Sequence, residues 1–207
     1  MIEGKNSIVL PIVGGIIALS VIFSVMLLWS GKLNDNDTSA KGHPNLGDDF
    51  TLQSAAGPVS LSDYRGKVVV LYFGYAFCPD VCPTSLGLLS LAFNKLSQDE
   101  LNDVQAFFIS VDPERDTVEK LEKYVGVFHP SIMGITGTPE EIAEVARIYG
   151  AIYMKVELPG SALGYSVDHS SRYYLIDREG VARELIPHGT SPEDIVVSLR
   201  EVLNIQE

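Results

Sequence analysis

The stretch FGYAFCPDVCPTSL, Phe73 to Leu86, holds both cysteines of this chain, Cys78 and Cys82, with three residues between them and a proline after each. It follows VVVLY directly, so VVVLYFGY (Val68–Tyr75) is a continuous β-branched and aromatic run. Such a run suits a strand buried on both faces. Beyond the cysteines, PTSLGLLSLAFNKLSQ carries Leu86, Leu89, Phe93 and Leu96 at spacings of three and four, which predicts a helix with one buried stripe. The cysteines therefore lie where a buried strand ends and a helix begins. In open α/β sheets, sites gather at the C-terminal ends of strands.

Working outward, DFTLQSAAGPVSLSDYRGK reads as a small hairpin around Ala-Gly-Pro. VQAFFISVD (Val104–Asp112) is a second central strand, and Asp116 or Thr117 would cap the helix VEKLEKYVGVF. IMGITG is a short strand. Thr138-Pro139-Glu140-Glu141 opens a helix with proline at its first position. RYYLID and VARELI form a hairpin around Arg178-Glu179-Gly180, and Ser191-Pro192-Glu193 starts a last helix to about Leu203. Strands alternating with helices predict an α/β fold: a partly parallel sheet covered on both faces, closed by an antiparallel hairpin.

The front of the chain differs. No charged residue occurs from Asn6 to Gly31, and such a run exceeds the roughly 20 residues a helix needs to cross a bilayer. It is longer than the ~7–15 residues of a signal-peptide core. The expected organisation is a cytoplasmic stub at 1–7, a transmembrane anchor at 8–30, a polar tether at 31–46 and one folded domain at 47–207. With the stub in the cytoplasm, the domain faces the periplasmic or extracytoplasmic side of the inner membrane. The net charge of −12 would repel nucleic-acid phosphate, which excludes that class of partner.

The cysteine pair has four readings. As a staple it is weak, because closing a loop of about five residues stabilises by about 2 kcal/mol, against nearly 5 for a 100-residue loop. As two buried apolar side chains, it would not call for the flanking prolines at a strand exit. A redox dithiol and a metal site remain. Cys82, in the first turn of the helix, would feel the positive dipole end and its pKa would fall. Two thiolates favour soft ions such as Cu(I), and an added imidazole also accommodates Cu(II). Of the four histidines, His43 lies in the tether, His129 in a loop before a proline, and His188 after the VARELI strand. His169, in GYSVDHSSRYYLID, directly precedes an apolar strand. If that strand lies beside the cysteine-bearing one, the loop carrying His169 faces the thiols. Asp80 either attracts a cation or is a solvated turn residue, and DPERDT (Asp112–Thr117) reads as a turn and cap or as a partner-docking element. A peroxidase would want an arginine near the cysteine, and none is close in sequence.

Three segments, GYAFCPDVCPTSL, FISVDPERDT and VDHSSRYYLID, behind a single apolar run, resemble the Sco/SenC family of copper proteins. The resemblance covers the domain from about Pro44 onward. Ala76 and Ser85 stand where many members carry threonine, and neither is a metal ligand. The resemblance implies a thioredoxin-like fold with an added hairpin and a copper site of Cys78, Cys82 and His169. It implies a membrane-anchored copper chaperone that helps build the dinuclear copper centre of cytochrome c oxidase. Its partners would be the copper-centre subunit of the oxidase and an upstream copper donor. The alternative is a thiol–disulfide reductase, with Cys78 and Cys82 as the redox pair, that keeps a partner's copper-ligand cysteines reduced.

Overall fold

The computed structural model describes residues 46–205. The stub, the anchor and the tether expected over 1–45 lie outside the described residues. Among the described residues, no helix is long and apolar enough to cross a membrane.

A short hairpin, β1 (Thr51–Ser54) and β2 (Gly57–Ser60), leads into a five-stranded sheet. The sheet comprises β3 (Val68–Gly74), β4 (Val104–Ser110), β5 (Ile132–Ile135), β8 (Arg172–Ile176) and β9 (Ala182–Pro187), in the order β5-β4-β3-β8-β9. β3, β4 and β5 are parallel, while β8 runs antiparallel to β3 and β9 to β8. β3 is central and every one of its residues is buried, which is why its sequence is apolar without alternation. This is the expected α/β architecture, thioredoxin-like in strand order.

The helices are α1 (Val81–Phe93), α2 (Gln98–Asn102), α3 (Val118–Gly126), α4 (Pro139–Ile148) and α5 (Pro192–Leu203). Their starts are chemically marked. The hydroxyls of Thr117, Thr138 and Ser191 accept the N–H groups of Lys120, Glu141 and Asp194, which satisfies donors that a helix leaves unpaired. Thr138 and Glu141 complete a reciprocal capping box with proline at the first helical position. The cap of α3 is thus Thr117 rather than Asp116, whose side chain is buried and otherwise engaged.

On one face of the sheet, Tyr72, Phe108 and Tyr173 pack together under α1 and α3: Tyr124 of α3 meets Phe108, and the Tyr173 hydroxyl donates to the Ser85 carbonyl of α1 at 2.7 Å. On the other, Phe73 and Tyr174 pack against Tyr149, at the end of α4, with Phe50 beyond it.

Two features depart from the pattern reading. The helix expected through Gln98 ends at Phe93, and α2 begins after Ser97, whose hydroxyl accepts the Glu100 N–H while Glu100 accepts the Ser97 N–H. That Ser-x-x-Glu box is a start signal inside the segment assigned to one helix. A second hairpin, β6 (Tyr153–Glu157) and β7 (Tyr165–His169), forms its own two-stranded sheet, pairing Tyr153 with His169 and Glu157 with Tyr165. It is the extra hairpin implied by the family resemblance. His169 is accordingly the last residue of a strand rather than a loop residue.

Candidate metal centre

β3 delivers the cysteines and the β7–β8 corner delivers the histidine. In the antiparallel register, Tyr72 of β3 faces Tyr173 of β8, so β8 begins where β3 ends. The residues just before β8 must therefore lie at the exit that carries Cys78 and Cys82. Ligand atoms of Cys78, Cys82 and His169 all lie within 4.8 Å of one another. An ion with bonds of about 2.0–2.3 Å spans at most about 4.6 Å between two ligand atoms, so the three donors stand close to the reach of one metal ion and need only a small inward shift to share it. His169 Nε2 stands 3.3 Å from Cys82 Sγ.

The imidazole is held from several sides. Its Nδ1 faces the Ser170 carbonyl at 3.4 Å, an arrangement in which Nδ1 carries the proton and Nε2 is left free to ligate. The rings of Tyr72 and Tyr75 meet it edge-on, with centroids 6.2 and 5.9 Å away. No cis peptide bond occurs among the described residues, and Asp168-His169-Ser170-Ser171 leads into the strand beside the cysteines.

The two sulfurs differ. Cys82, the second residue of α1, is fully buried, whereas Cys78 is partly exposed, and both thiols are free. Gly74 makes room for Cys82: a Cβ there would stand 2.7 Å from Cys82 Sγ and 2.7 Å from a Phe108 ring carbon. Asp80 precedes α1, but its side chain caps nothing and is exposed. Instead the Cys82 N–H donates to Cys78 Sγ at 3.5 Å. The unpaired amides of the helix start therefore stabilise charge on Cys78, not on Cys82, contrary to the expectation that Cys82 would be activated. A hydrogen bond from Cys82 holds the Cys78 thiol far below the usual range, with the Asp80 and Cys82 amides adding to it. Donating that bond, together with burial, pushes Cys82 up. The pair is best described as one thiolate and one thiol sharing a proton.

The other expected residues are elsewhere. His43 lies outside the described residues. His129 is buried against Phe93, with Nδ1 accepting the Ser131 N–H at 3.1 Å. His188 is exposed and pairs through Nδ1 with Ser85 Oγ at 2.8 Å, one turn along α1 from Cys82.

The pattern reading gave DPERDT no place in the site, and here the structure adds most. Asp116 is buried. Its Oδ2 accepts the Ala76 N–H at 2.9 Å and the Ser110 hydroxyl at 2.6 Å, which ties the cysteine loop to the end of β4. Arg115, distant in sequence, has its guanidinium carbon 5.0 Å from the ring centre of Phe77, next to Cys78. Its Nε bonds Asp112, and its Nη1 donates to the Leu163 and Tyr165 carbonyls of the second hairpin. The arginine that a peroxidase reading lacked is thus spatially near, but Asp112 and the hairpin occupy it. The only sequence signal for these roles was a charged cluster directly after a buried strand.

Comparison with known proteins agrees with this geometry. The family model described as SCO1/SenC matches residues 38–204. "Protein SCO1 homolog 1, mitochondrial" of Arabidopsis thaliana is 43% identical over 153 residues, covering 71% of this chain and 45% of that protein. The SCO2-like protein of Rickettsia prowazekii is 34% identical over 180 residues, covering 85% of each. The chain spans about half the length of the plant and animal relatives it matches, 45% and 58% in the Arabidopsis and Bos taurus proteins. Among solved structures, copper-bound ScoI of Arabidopsis thaliana superposes with a TM-score of 0.71 at 39% identity, covering 77% of this chain and 99% of that one. Copper-bound yeast Sco1 gives 0.70 at 34%, covering 79% and 91%. By sequence, fold and the residues matched, the chain belongs to the SCO1/SenC family.

Proposed function

We propose that the chain binds one copper ion between Cys78, Cys82 and His169 and uses it to mature the dinuclear copper centre of cytochrome c oxidase. The observation that carries this is the convergence of three donors from the β3–α1 and β7–β8 corners. Two sulfurs and an imidazole form a soft set that suits Cu(I) and tolerates Cu(II). Copper is the cargo. It reaches the site through the partly exposed Cys78, whose thiol is held far below its usual range, and binding at Cys82 releases that thiol's proton. The same open side admits a partner's thiolate, so the ion passes by ligand exchange without leaving the sulfur environment. Copper-bound relatives on the same fold support the reading. We place the domain outside the inner membrane, tethered through the 8–30 anchor, where confinement to the membrane surface raises its effective concentration near the copper-centre subunit. An upstream copper donor loads it.

The asymmetry of the sulfurs favours one second reading, disulfide reduction. Cys78 thiolate would attack a partner's disulfide and form a mixed disulfide, releasing one partner thiolate. Cys82 would then displace the second, leaving the partner with two thiols and this chain with a Cys78–Cys82 disulfide. A thiol reductant of the compartment must then restore the pair.

Replacing His169 with alanine separates the two. Copper stoichiometry and oxidase assembly are measured in parallel. Loss of both supports copper delivery, while lost copper binding with intact assembly supports reduction. One-to-one copper at unchanged affinity refutes the ligand set.

A further inference from the structure

We propose that the Asp112–Asp116 loop is a clasp that sets the position of His169, with Arg115 as the positioning residue. It rests on the copper reading for its functional consequence, but its structural part does not.

The hairpin that ends in His169 pairs with no strand of the main sheet. Its direction is therefore fixed by side chains. At its base, Ser170 and Ile152 exchange two bonds, and the Ser171 carbonyl accepts the His188 N–H at 3.0 Å. At its far end the only charged group gripping the hairpin backbone, among the described residues, is Arg115. Its Nη1 reaches the Tyr165 carbonyl at 3.0 Å and the Leu163 carbonyl at 3.3 Å, and its guanidinium carbon lies 3.6 Å from the centre of the Tyr165 ring. Asp112 completes the grip by accepting the Tyr165 hydroxyl at 2.7 Å while pairing with Arg115. Arg115 and Asp112 keep only 16% and 3% of their side chains exposed, so water screens this pair little. The Glu114–Lys155 pair beside it is exposed and contributes little.

Tyr165 and His169 are separated by four residues of strand, about 14 Å. A rod held at both ends keeps its heading, and one held only at its base does not. Asp116, in the same loop, holds the Ala76 N–H of the cysteine segment. One short loop thus braces both carriers of the site: the sulfurs through Asp116, the imidazole through Arg115. A planar guanidinium suits this task, since it bonds a carboxylate, donates to carbonyls and stacks on a ring at once.

The test uses the full-length chain carrying Arg115→Met, with Tyr165→Phe as the milder variant should the first fail to fold. In the metal-free protein, amide hydrogen exchange is followed at Val156 and Ser166, a facing pair of the hairpin, with Val70 and Leu71 of β3 as internal controls. The clasp predicts exchange about ten-fold faster in the hairpin and unchanged in β3. Cu(II) alone is then added. Affinity falls about 10- to 100-fold, as when a group supporting a ligand is lost, and the nitrogen coupling from imidazole in the Cu(II) paramagnetic resonance spectrum weakens. In a His169→Ala background the same substitution has no further effect on copper affinity, because its action runs through that ring. Equal exchange in the hairpin overturns the clasp. So does an equal loss of affinity with and without His169. If His169→Ala alone leaves copper binding untouched, the copper reading fails while the exchange comparison still decides the clasp.

Discussion

Gly74 offers the sharpest quantitative test of the site's packing. It is the last residue of β3, and adding one methyl group there places a carbon 2.7 Å from Cys82 Sγ and 2.7 Å from a Phe108 ring carbon. Ordinary contact begins at 3.4 Å, so each neighbour must retreat by about 0.7 Å. Neither has anywhere to go, because Cys82 and Phe108 are both fully buried. Overpacking of this kind costs about 1–3 kcal/mol. For a domain of this size each kcal/mol is worth about 2–4 °C, so Gly74→Ala should lower the melting temperature of the metal-free domain by about 2–12 °C. The same displacement exceeds the roughly 0.2 Å that metal–ligand distances tolerate. Copper affinity should therefore fall together with stability. The assays are thermal unfolding of the reduced, metal-free protein and copper competition against a chelator of known affinity. Unchanged melting with unchanged copper affinity would refute the argument that the glycine exists to admit the sulfur. Lost stability with unchanged affinity would show that Phe108 alone yields.

The thiol pair predicts a pH signature. Thiolate absorbance near 240 nm should show one ionised sulfur at neutral pH, and Cys82→Ala, which removes the donated hydrogen bond, should move that ionisation upward. Because the folded Cys78 pKa is depressed, its contribution to stability is complete above the unfolded thiol value of about 8.5 and is lost as pH falls towards the folded value. Cys82 is shifted the other way, so it subtracts stability above about pH 8.5. Reduced protein should thus be most stable near there, and in Cys78→Ser the rise below it should disappear, as read by denaturant midpoints across pH. Two neighbouring tyrosines should respond oppositely to loss of a hydroxyl. Tyr173→Phe forfeits a buried bond to the Ser85 carbonyl and should cost about 1 kcal/mol. The buried Tyr72 hydroxyl makes no hydrogen bond among the described residues, so Tyr72→Phe should be neutral or stabilising in the same unfolding assay.

Much of the site could be read from the chain because its two halves are announced by apolar strands. VVVLYFG and RYYLI are too hydrophobic to lie anywhere but side by side in the centre of a sheet, and their antiparallel pairing brings Cys78, Cys82 and His169 to one edge. Thr138 and Ser191 likewise start helices where their chemistry says they should. The second hairpin was not legible from its own residues. β6 exposes Met154, Lys155 and Glu157, so no alternation of buried and exposed positions marks it, and its grip on the body is a set of side-chain contacts about 50 residues distant in sequence. Activation of the thiols was misplaced for a related reason. Position along a helix suggests which residue feels the dipole, but the backbone path decides which sulfur the free amide meets.

That amide has one more consequence. The start of α1 is held by a candidate ligand atom, because the acceptor of the Cys82 N–H is Cys78 sulfur rather than the Asp80 carboxylate. When Cys78 is drawn into a disulfide or shares its lone pair with an ion, it becomes a poorer acceptor, and the opening turn of the helix loosens. A change at that one sulfur would therefore be felt along the backbone of the opening turn as well as at the thiols themselves.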